Sequence, residues 1–484
     1  MMLQTNKMEL DILIANAEDG YKHLQQMSRK DRAELMYSIA SSIEALGDEL
    51  IQTAHEETNL PLARLNGEKA RTIHQWRLYA DVTASGVLLD ARIDYGEGKN
   101  DIRKYNVGLG PVVVFGASNF PFAFSTAGGD TASAIGAGCS VIYKEHSAHP
   151  RTSRIMAKAI YDGLKAFGAP NEIFGYASGN SHDVGQSLVA NPKIKAVAFT
   201  GSFQGGMALF KIGANRPEPI PVFAEMGSLN PVIAMPEFLQ SNTTNFAKEY
   251  IASLTMGCGQ FCTNPGILFL LKNEVSENLK QLIKQEFGSV EVGHMLHEGI
   301  RKSYDKSLDL LNSTVVANVV GSTAESRDLP IAVVYSVNAT DFLKFKHLQE
   351  EVFGPCGVIV ECDSISQMED IISNLAGQLT ITFAATKQDI QQNLTLVDLV
   401  KNKCGRLLFN GMPTGVEVVY AMQHGGVFPS STDSRFTSVG PDAMKRFLRP
   451  ISFQNWPDTL LPLELQNSNP SRIERIENNK RILP

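Results

Sequence analysis

Cysteine, tryptophan and excess positive charge are all scarce in this chain. Six cysteines in 484 residues (Cys139, Cys258, Cys262, Cys356, Cys362 and Cys404) are too few for a disulfide framework, and no CxxC or nearby histidine forms a zinc-type cluster, so a reducing cytoplasm is expected and no metal. The formal net charge of -7 leaves no basic surplus to grip a phosphodiester backbone, which argues against nucleic acid as a partner. No apolar run approaches a membrane span, and the polar, acidic first residues do not read as a secretory signal. There is no internal repeat, low-complexity tract, GxGxxG fingerprint, Walker lysine motif or serine nucleophile elbow.

What is present is an ordinary globular composition, 43% hydrophobic and 20% charged, in a chain long enough for two or three domains. Residues 9–80 carry apolar positions at helical spacing and predict an antiparallel helical lead-in. From about Val82 to Tyr105 charge rises and the pattern weakens, as in an exposed strand pair or linker whose edge could pair with another subunit. Short apolar strands at residues 111–116, 140–143, 173–176, 196–199 and 221–224 then alternate with helices, the rhythm of parallel βαβ units. A second α/β region follows, and the punctuated segment from residue 425 onward reads as an extension with a polar tail, partly mobile or packed on a neighbour.

In a parallel sheet, ligands bind beyond the C-terminal strand ends. The residues there are Asn119 after the first strand, Lys144 at the tip of the second, Thr200-Gly201-Ser202 at a helix start after the fourth, and Glu225 ending the fifth beside glycine. Each alone reads as a turn former or a solvated end, although a carboxylate closing an apolar strand is costly without a purpose. Further on, Met256-Gly257-Cys258-Gly259-Gln260-Phe261-Cys262-Thr263 sets two thiols four apart among turn formers, and Glu350-Glu351-Val352-Phe353-Gly354-Pro355 sets two carboxylates by an aromatic.

Taken in order, Asn119-Phe120-Pro121, Lys144, Phe199-Thr200-Gly201-Ser202, Glu225-Met226-Gly227, Gly259-Gln260-Phe261-Cys262-Thr263 and Glu350-Glu351-Val352-Phe353-Gly354-Pro355 resemble the aldehyde dehydrogenase superfamily, and with Asn410-Gly411-Met412-Pro413 the likeness spans nearly the whole chain. The resemblance implies an α/β fold of two Rossmann-like doubly wound domains with a small β oligomerisation extension. The dinucleotide-binding domain would comprise residues 1–87 and 106–226, the catalytic domain 227–424, and the extension 88–105 and 425–484. A homodimer or homotetramer is implied.

By the same resemblance Cys262 is the nucleophile, its thiolate adding to an aldehyde to form a thiohemiacetal. Asn119 and the Cys262 backbone N–H would hold the oxyanion, each donor worth about 3 kcal/mol. After hydride passes to the nicotinamide, Glu225, its pKa raised by burial, would activate water against the thioester. Cys262 itself is expected to be a few per cent thiolate near neutrality, and Cys258 to be structural. Glu351 and Phe353 would meet the nicotinamide ribose, Gly201 and Ser202 the pyrophosphate, and Lys144 the adenosine ribose. Ser147 stands where NAD-preferring members carry glutamate, so NADP is expected to be preferred, with NAD possible.

Ser118, Met226, Phe261 and the Arg435-Phe436-Thr437-Ser438 segment depart from the commonest pattern and look like the branch of 2-oxoglutarate semialdehyde dehydrogenases and an NADP-linked fatty aldehyde dehydrogenase. The expected reaction is therefore oxidation of 2-oxoglutarate semialdehyde, with long-chain aldehydes as the alternative substrates. A non-catalytic member is disfavoured by intact Cys262, Glu225 and Asn119, and a reductive acyl-phosphate or acyl-CoA relative would not need Glu225. Arg435 is the candidate cation for a substrate carboxylate, against a surface ion pair. His424 is a candidate proton acceptor, against a turn histidine.

Overall fold

The computed structural model describes residues 5–483 except 180, 315, 325 and 327. Four helices lead in: Lys7–Gln26, started by an Asn6/Glu9 capping box, then Arg29–Glu44, Asp48–Thr58 and Leu62–Ser85. The last of these is stopped by Gly86 at φ 75°, so Val82 still belongs to a helix, and the exposed strands begin only at Arg92–Asp94 and Ile102–Gly108.

The first α/β sheet has five parallel strands in the spatial order Phe174–Ala177, Val141–Lys144, Val112–Phe115, Ala196–Thr200, Val222–Glu225. Its near-continuous apolar strands are buried on both faces, and alternate residues divide between two cores. Val112, Val114, Val141, Tyr143, Ala196 and Ala198 join the lead-in residues Met36, Ile39, Trp76 and Tyr79. Val113, Ile142 and Val197 join Leu10, Ile14, Val184 and Leu188 on the opposite face. The chain leaves the first strand in sequence, Val112–Phe115, for one neighbour and later returns to the other, which places a topological switch point at the loop after Phe115.

The second sheet has seven strands: Asn318–Ser322, Val333–Asn338, Cys356–Cys362, Ile267–Leu271, Val232–Ala234, Gln378–Ala384 and Cys404–Phe409. Only the first is antiparallel to its neighbour. Ile267, Phe269, Val358 and Val360 face one core while Leu268, Leu270 and Ile359 face another. The two sheets are tied through Gln378, whose Oε1 accepts from Ser228 Oγ, Leu229 N and Asn230 N at 3.0, 2.7 and 3.2 Å.

A third sheet runs Leu448–Gln454, Ile102–Gly108, Arg92–Asp94, Arg475–Glu477, Lys480–Ile482, so the segment expected to end in a polar tail, partly mobile or packed on a neighbour, carries three paired strands of its own. Between the second and third sheets, the chain at 430–432 runs back along the edge strand Val222–Glu225. Met226 N donates to Ser430 O (2.8 Å) and Thr432 N to Ala224 O (3.1 Å), and this return brings residues 424–438 over the end of the first sheet. Among the described residues, no helix is long and apolar enough to cross a membrane.

Candidate active site

The turn that carries Cys262 is built from left-handed backbone. Helix Pro236–Thr255 ends, and Gly257, Cys258 and Gly259 follow at φ 55°, 59° and 65°. Cys258 bears a cost of about 1 kcal/mol for that conformation. Gly259 is required twice over, because a Cβ there would sit 2.2 Å from the Gly354 carbonyl carbon. Asn230 fixes the far side: its Nδ2 donates to Cys262 O (2.8 Å) and Asn264 O (2.9 Å), with Ser228 O at 3.2 Å. Cys258 itself is buried against Gly293 O, its thiol pushed up to about 12 by burial.

Cys262 is half-buried and its Sγ lies 3.5 Å from His424 Nε2, which is 2.8 Å from Glu225 Oε1. His424, a candidate proton acceptor weighed against a turn histidine, is thus at the nucleophile, held there by Thr437 Oγ1, which accepts from His424 N (2.9 Å), and by Ser438 N donating to His424 O (2.7 Å). Ser438 Oγ donates to Glu225 Oε2 at 2.5 Å. Oε1 meets no donor at hydrogen-bonding angles, so it remains the oxygen available to a proton.

Two expectations about charge are reversed by this cluster. Burial does push the Glu225 carboxyl up, but a proton on His424 together with the Ser438 hydroxyl and the Cys262 thiol outweighs it, so Glu225 lies below its usual range once His424 carries that proton. Burial, and then the neighbouring Glu225 charge, hold the Cys262 thiol well above its usual range. The resting sulfur is therefore a thiol, with less thiolate than an ordinary cysteine supplies, and it needs a base. The Glu225, Cys262 and His424 ligand atoms all lie within 4.8 Å of one another and could also take a soft cation, a grouping hidden from the sequence by separations of 37 and 162 residues.

Asn119 is buried, with Nδ2 donating to Gln260 O (3.0 Å) two residues before Cys262. Its loop is held by helix Leu62–Ser85, whose inward polar face sequence reasoning passed over. Arg64 Nη2 donates to Asn119 O (2.7 Å), and its guanidinium lies 4.9 and 4.7 Å from the Phe120 and Phe261 ring centroids, stapling the two loops together. Glu68 Oε1 accepts from Phe122 N and Ala123 N at 2.8 and 2.9 Å. Arg71 stacks on Phe124 at 5.1 Å. The signal was available: positions 64, 68, 71 and 75 recur at helical spacing and are polar on a face that packs inward.

Glu351 and Phe353 line a small cavity with Ser228, Gly259 and Phe261. Burial raises the Glu351 carboxyl to about 7, and Ser228 N is the donor that reaches it, at 3.3 Å. A Cβ on Gly227 would lie 2.3 Å from Glu351 Oε2, so only glycine admits the carboxylate there. Such an under-partnered carboxyl fits a ribose diol. Gly201 and Ser202 open helix Phe203–Ala214, with Ser202 Oγ accepting from Gly205 N (3.2 Å), an exposed helix start suited to a pyrophosphate. Lys144 Nζ donates to Glu145 O and Gly179 O (2.9 and 2.6 Å) at its strand tip, and Ser147 is exposed just beyond it. These residues fit a dinucleotide laid across the strand ends.

Arg435 is not brought into the cluster. Its side chain is 78% exposed and chelates Asp433 through Nε and Nη2 (2.8 and 2.5 Å), the surface pair that competed with the substrate reading.

A model described as the aldehyde dehydrogenase family matches residues 2–451. The chain is 42% identical over 479 residues to an alpha-ketoglutaric semialdehyde dehydrogenase of Acinetobacter baylyi, covering 97% of this chain and 91% of that protein. It is 43% identical over 472 residues to alpha-ketoglutaric semialdehyde dehydrogenase 2 of Azospirillum brasilense, covering 96% and 90%. Among solved structures it is similar in fold to an NAD-dependent aldehyde dehydrogenase of Sinorhizobium meliloti (TM-score 0.79, 19% identity, 93% of this chain and 88% of that one). A glyceraldehyde-3-phosphate dehydrogenase of Methanocaldococcus jannaschii complexed with NADP is likewise similar in fold (TM-score 0.78, 18%, 93% and 94%).

Proposed function

Because this chain belongs to the aldehyde dehydrogenase family, whose members use NAD(P), we propose that it oxidises 2-oxoglutarate semialdehyde to 2-oxoglutarate with NADP as the better cofactor. The observation that carries the chemistry is the contact series from Cys262 through His424 to Glu225, at 3.5 and 2.8 Å. The substrate assignment is supported by identity above 40% to two semialdehyde dehydrogenases over nearly the full chain.

His424 Nε2 takes the Cys262 proton as the sulfur adds to the aldehyde carbon, offsetting the raised pKa of the buried thiol. Asn119 Nδ2, moving from Gln260 O, and the Cys262 N–H hold the resulting oxyanion. A bound nicotinamide supplies the hydride acceptor that turns the thiohemiacetal into a thioester. Glu225 Oε1, ionised through the neutral range, then takes a proton from the water that hydrolyses the thioester, while Ser438 keeps Oε2 fixed. Glu351 and Phe353 would hold the nicotinamide ribose, and Gly201 and Ser202 the pyrophosphate. Lys144 with the exposed Ser147 accommodates a 2′-phosphate that an acidic side chain there would repel.

All six cysteines are free, which supports a reducing cytoplasm. Exposed Trp456, Leu460 and Leu463 beside the third sheet support a homo-oligomer. The deciding experiment is kcat/KM for 2-oxoglutarate semialdehyde, succinic semialdehyde, pentanal and decanal with each dinucleotide. The reading expects the first with NADP to be best, and a preference for decanal or for NAD refutes the corresponding half.

A further inference from the structure

A substrate that carries a carboxylate several bonds from its aldehyde needs a cation inside the site, and Arg435 is turned to the surface. Three other arginines are buried or half-buried near the cluster, and they differ in what they already hold. Arg406 donates to Pro413 O and Gly415 O (2.7 and 3.0 Å), so it is occupied in shaping the 413–415 loop. Arg64 is occupied by Asn119 O and clasped between two rings. Arg71 is different. Among the described residues it has no ion pair, and its one side-chain hydrogen bond is a 3.5 Å contact from Nη1 to Gln75 Oε1.

A guanidinium taken out of water without an anion is costly, and it is kept where something arrives to pay that cost. Arg71 Cζ lies 5.1 Å from the Phe124 ring centroid, that ring lies 6.1 Å from the His424 ring, and His424 touches Cys262. Glu68, Cys262 and Glu225 are all within its electrostatic reach, whereas of these Arg64 answers to Glu68 alone. In a five-carbon oxo acid semialdehyde the two end carbons stand about 5 Å apart, given carbon–carbon bonds of about 1.5 Å, and the distal carboxylate must therefore meet its cation within one side chain's breadth of the nucleophile's neighbours.

We propose that Arg71 is the specificity-determining residue that receives the distal carboxylate of the substrate, pairing with it by charge-assisted hydrogen bonds while the aldehyde lies at Cys262. Gln75 gives up its weak hold on the guanidinium as the carboxylate enters. This inference rests on the substrate reading above and adds the residue that enforces it. It also places a fixed positive charge beside Phe124, which disfavours uncharged aliphatic aldehydes that would leave the guanidinium unpaired.

The test compares wild type with Arg71→Met and Arg71→Lys on 2-oxoglutarate semialdehyde and on pentanal, an uncharged aldehyde of equal carbon count. Wild type is expected to favour the semialdehyde. Arg71→Met should lose about 100-fold in kcat/KM on it, mostly through KM, and stay within about threefold on pentanal. Arg71→Lys should fall between, since a point charge replaces a fork of donors. Wild type favouring pentanal would overturn the substrate reading. Wild type favouring the semialdehyde with its preference intact in Arg71→Met would overturn the role of Arg71 alone. If Arg71→Met loses both activities by misfolding, an unchanged substrate ratio in Arg71→Lys overturns it, and a reduced ratio supports it.

Discussion

Replacing His424 by glutamine removes the proton acceptor beside the nucleophile while keeping a polar side chain of similar reach. His424 Nε2 is 3.5 Å from Cys262 Sγ, and the thiol is held above its usual range by burial and by Glu225. An ordinary cysteine with a pKa of about 8.5 is roughly 3% thiolate at pH 7, and each further unit of pKa costs another tenfold. A positioned base is worth about 10²- to 10⁴-fold, so His424→Gln should lose at least about 10²-fold in kcat/KM at pH 7. The shape of the profile matters as much as the size of the loss. In the variant the rate of thiohemiacetal formation must follow free thiol ionisation, rising about tenfold per pH unit across the neutral and alkaline range, where the wild-type rate is flatter. The assay is single-turnover formation of reduced dinucleotide, paired with the pH dependence of Cys262 alkylation. A His424→Gln enzyme within threefold of wild type, with an unchanged profile, would refute the reasoning.

Other consequences follow from the same contacts. Gly259→Ala should cost more than about 3 kcal/mol of stability by thermal melting, since φ is 65° and the new Cβ would meet Gly354 at 2.2 Å, whereas Gly288→Ala, with open space around it, should be near neutral. Ser147→Glu should lower kcat/KM for NADP at least about tenfold relative to NAD, and an unchanged ratio would remove Ser147 from the cofactor argument. Arg435→Ala should leave turnover within about twofold, as its charge is spent on Asp433 at the surface. The Glu351 carboxyl, raised from 4.5 to about 7, adds stability that is fully present below pH 4.5 and is lost as pH rises through about 7. The stability difference between wild type and Glu351→Gln, read by denaturant unfolding without cofactor, should therefore shift by on the order of 3 kcal/mol between pH 4.5 and 8, and a flat difference would argue against a buried carboxyl there.

The parallel sheets were legible because their strands are short apolar runs at regular spacing, and alternate residues of each do divide between two cores. Strand tips were legible for the same reason: Asn119, Lys144, Gly201 and Glu225 stand where open α/β sheets bind ligands. Strands Asn318–Ser322 and Cys404–Phe409 escaped notice because one is edge-exposed and the other is not continuously apolar. What the sequence hid was contact between distant segments. His424 reaches Cys262 only because the chain near Ser430 runs back along Val222–Glu225, and a lone histidine among glycines gives no hint of that return. The charges of Cys262 and Glu225 were misjudged together, each expectation having treated the residue alone, whereas each shifts the other and His424 acts on Glu225. Arg64, Glu68 and Arg71 were passed over within the helical lead-in, and only the packing of that helix against the loop after Phe115 shows that they turn inward.

Covalent trapping tests the central claim most directly. In Glu225→Gln, with the water-activating carboxylate gone but Cys262, His424 and Asn119 intact, 2-oxoglutarate semialdehyde and NADP should yield one equivalent of reduced dinucleotide. Peptide mass analysis should then find the acyl group on Cys262. An adduct on Cys258, or rapid multiple turnover with Cys262 unmodified, would contradict the account.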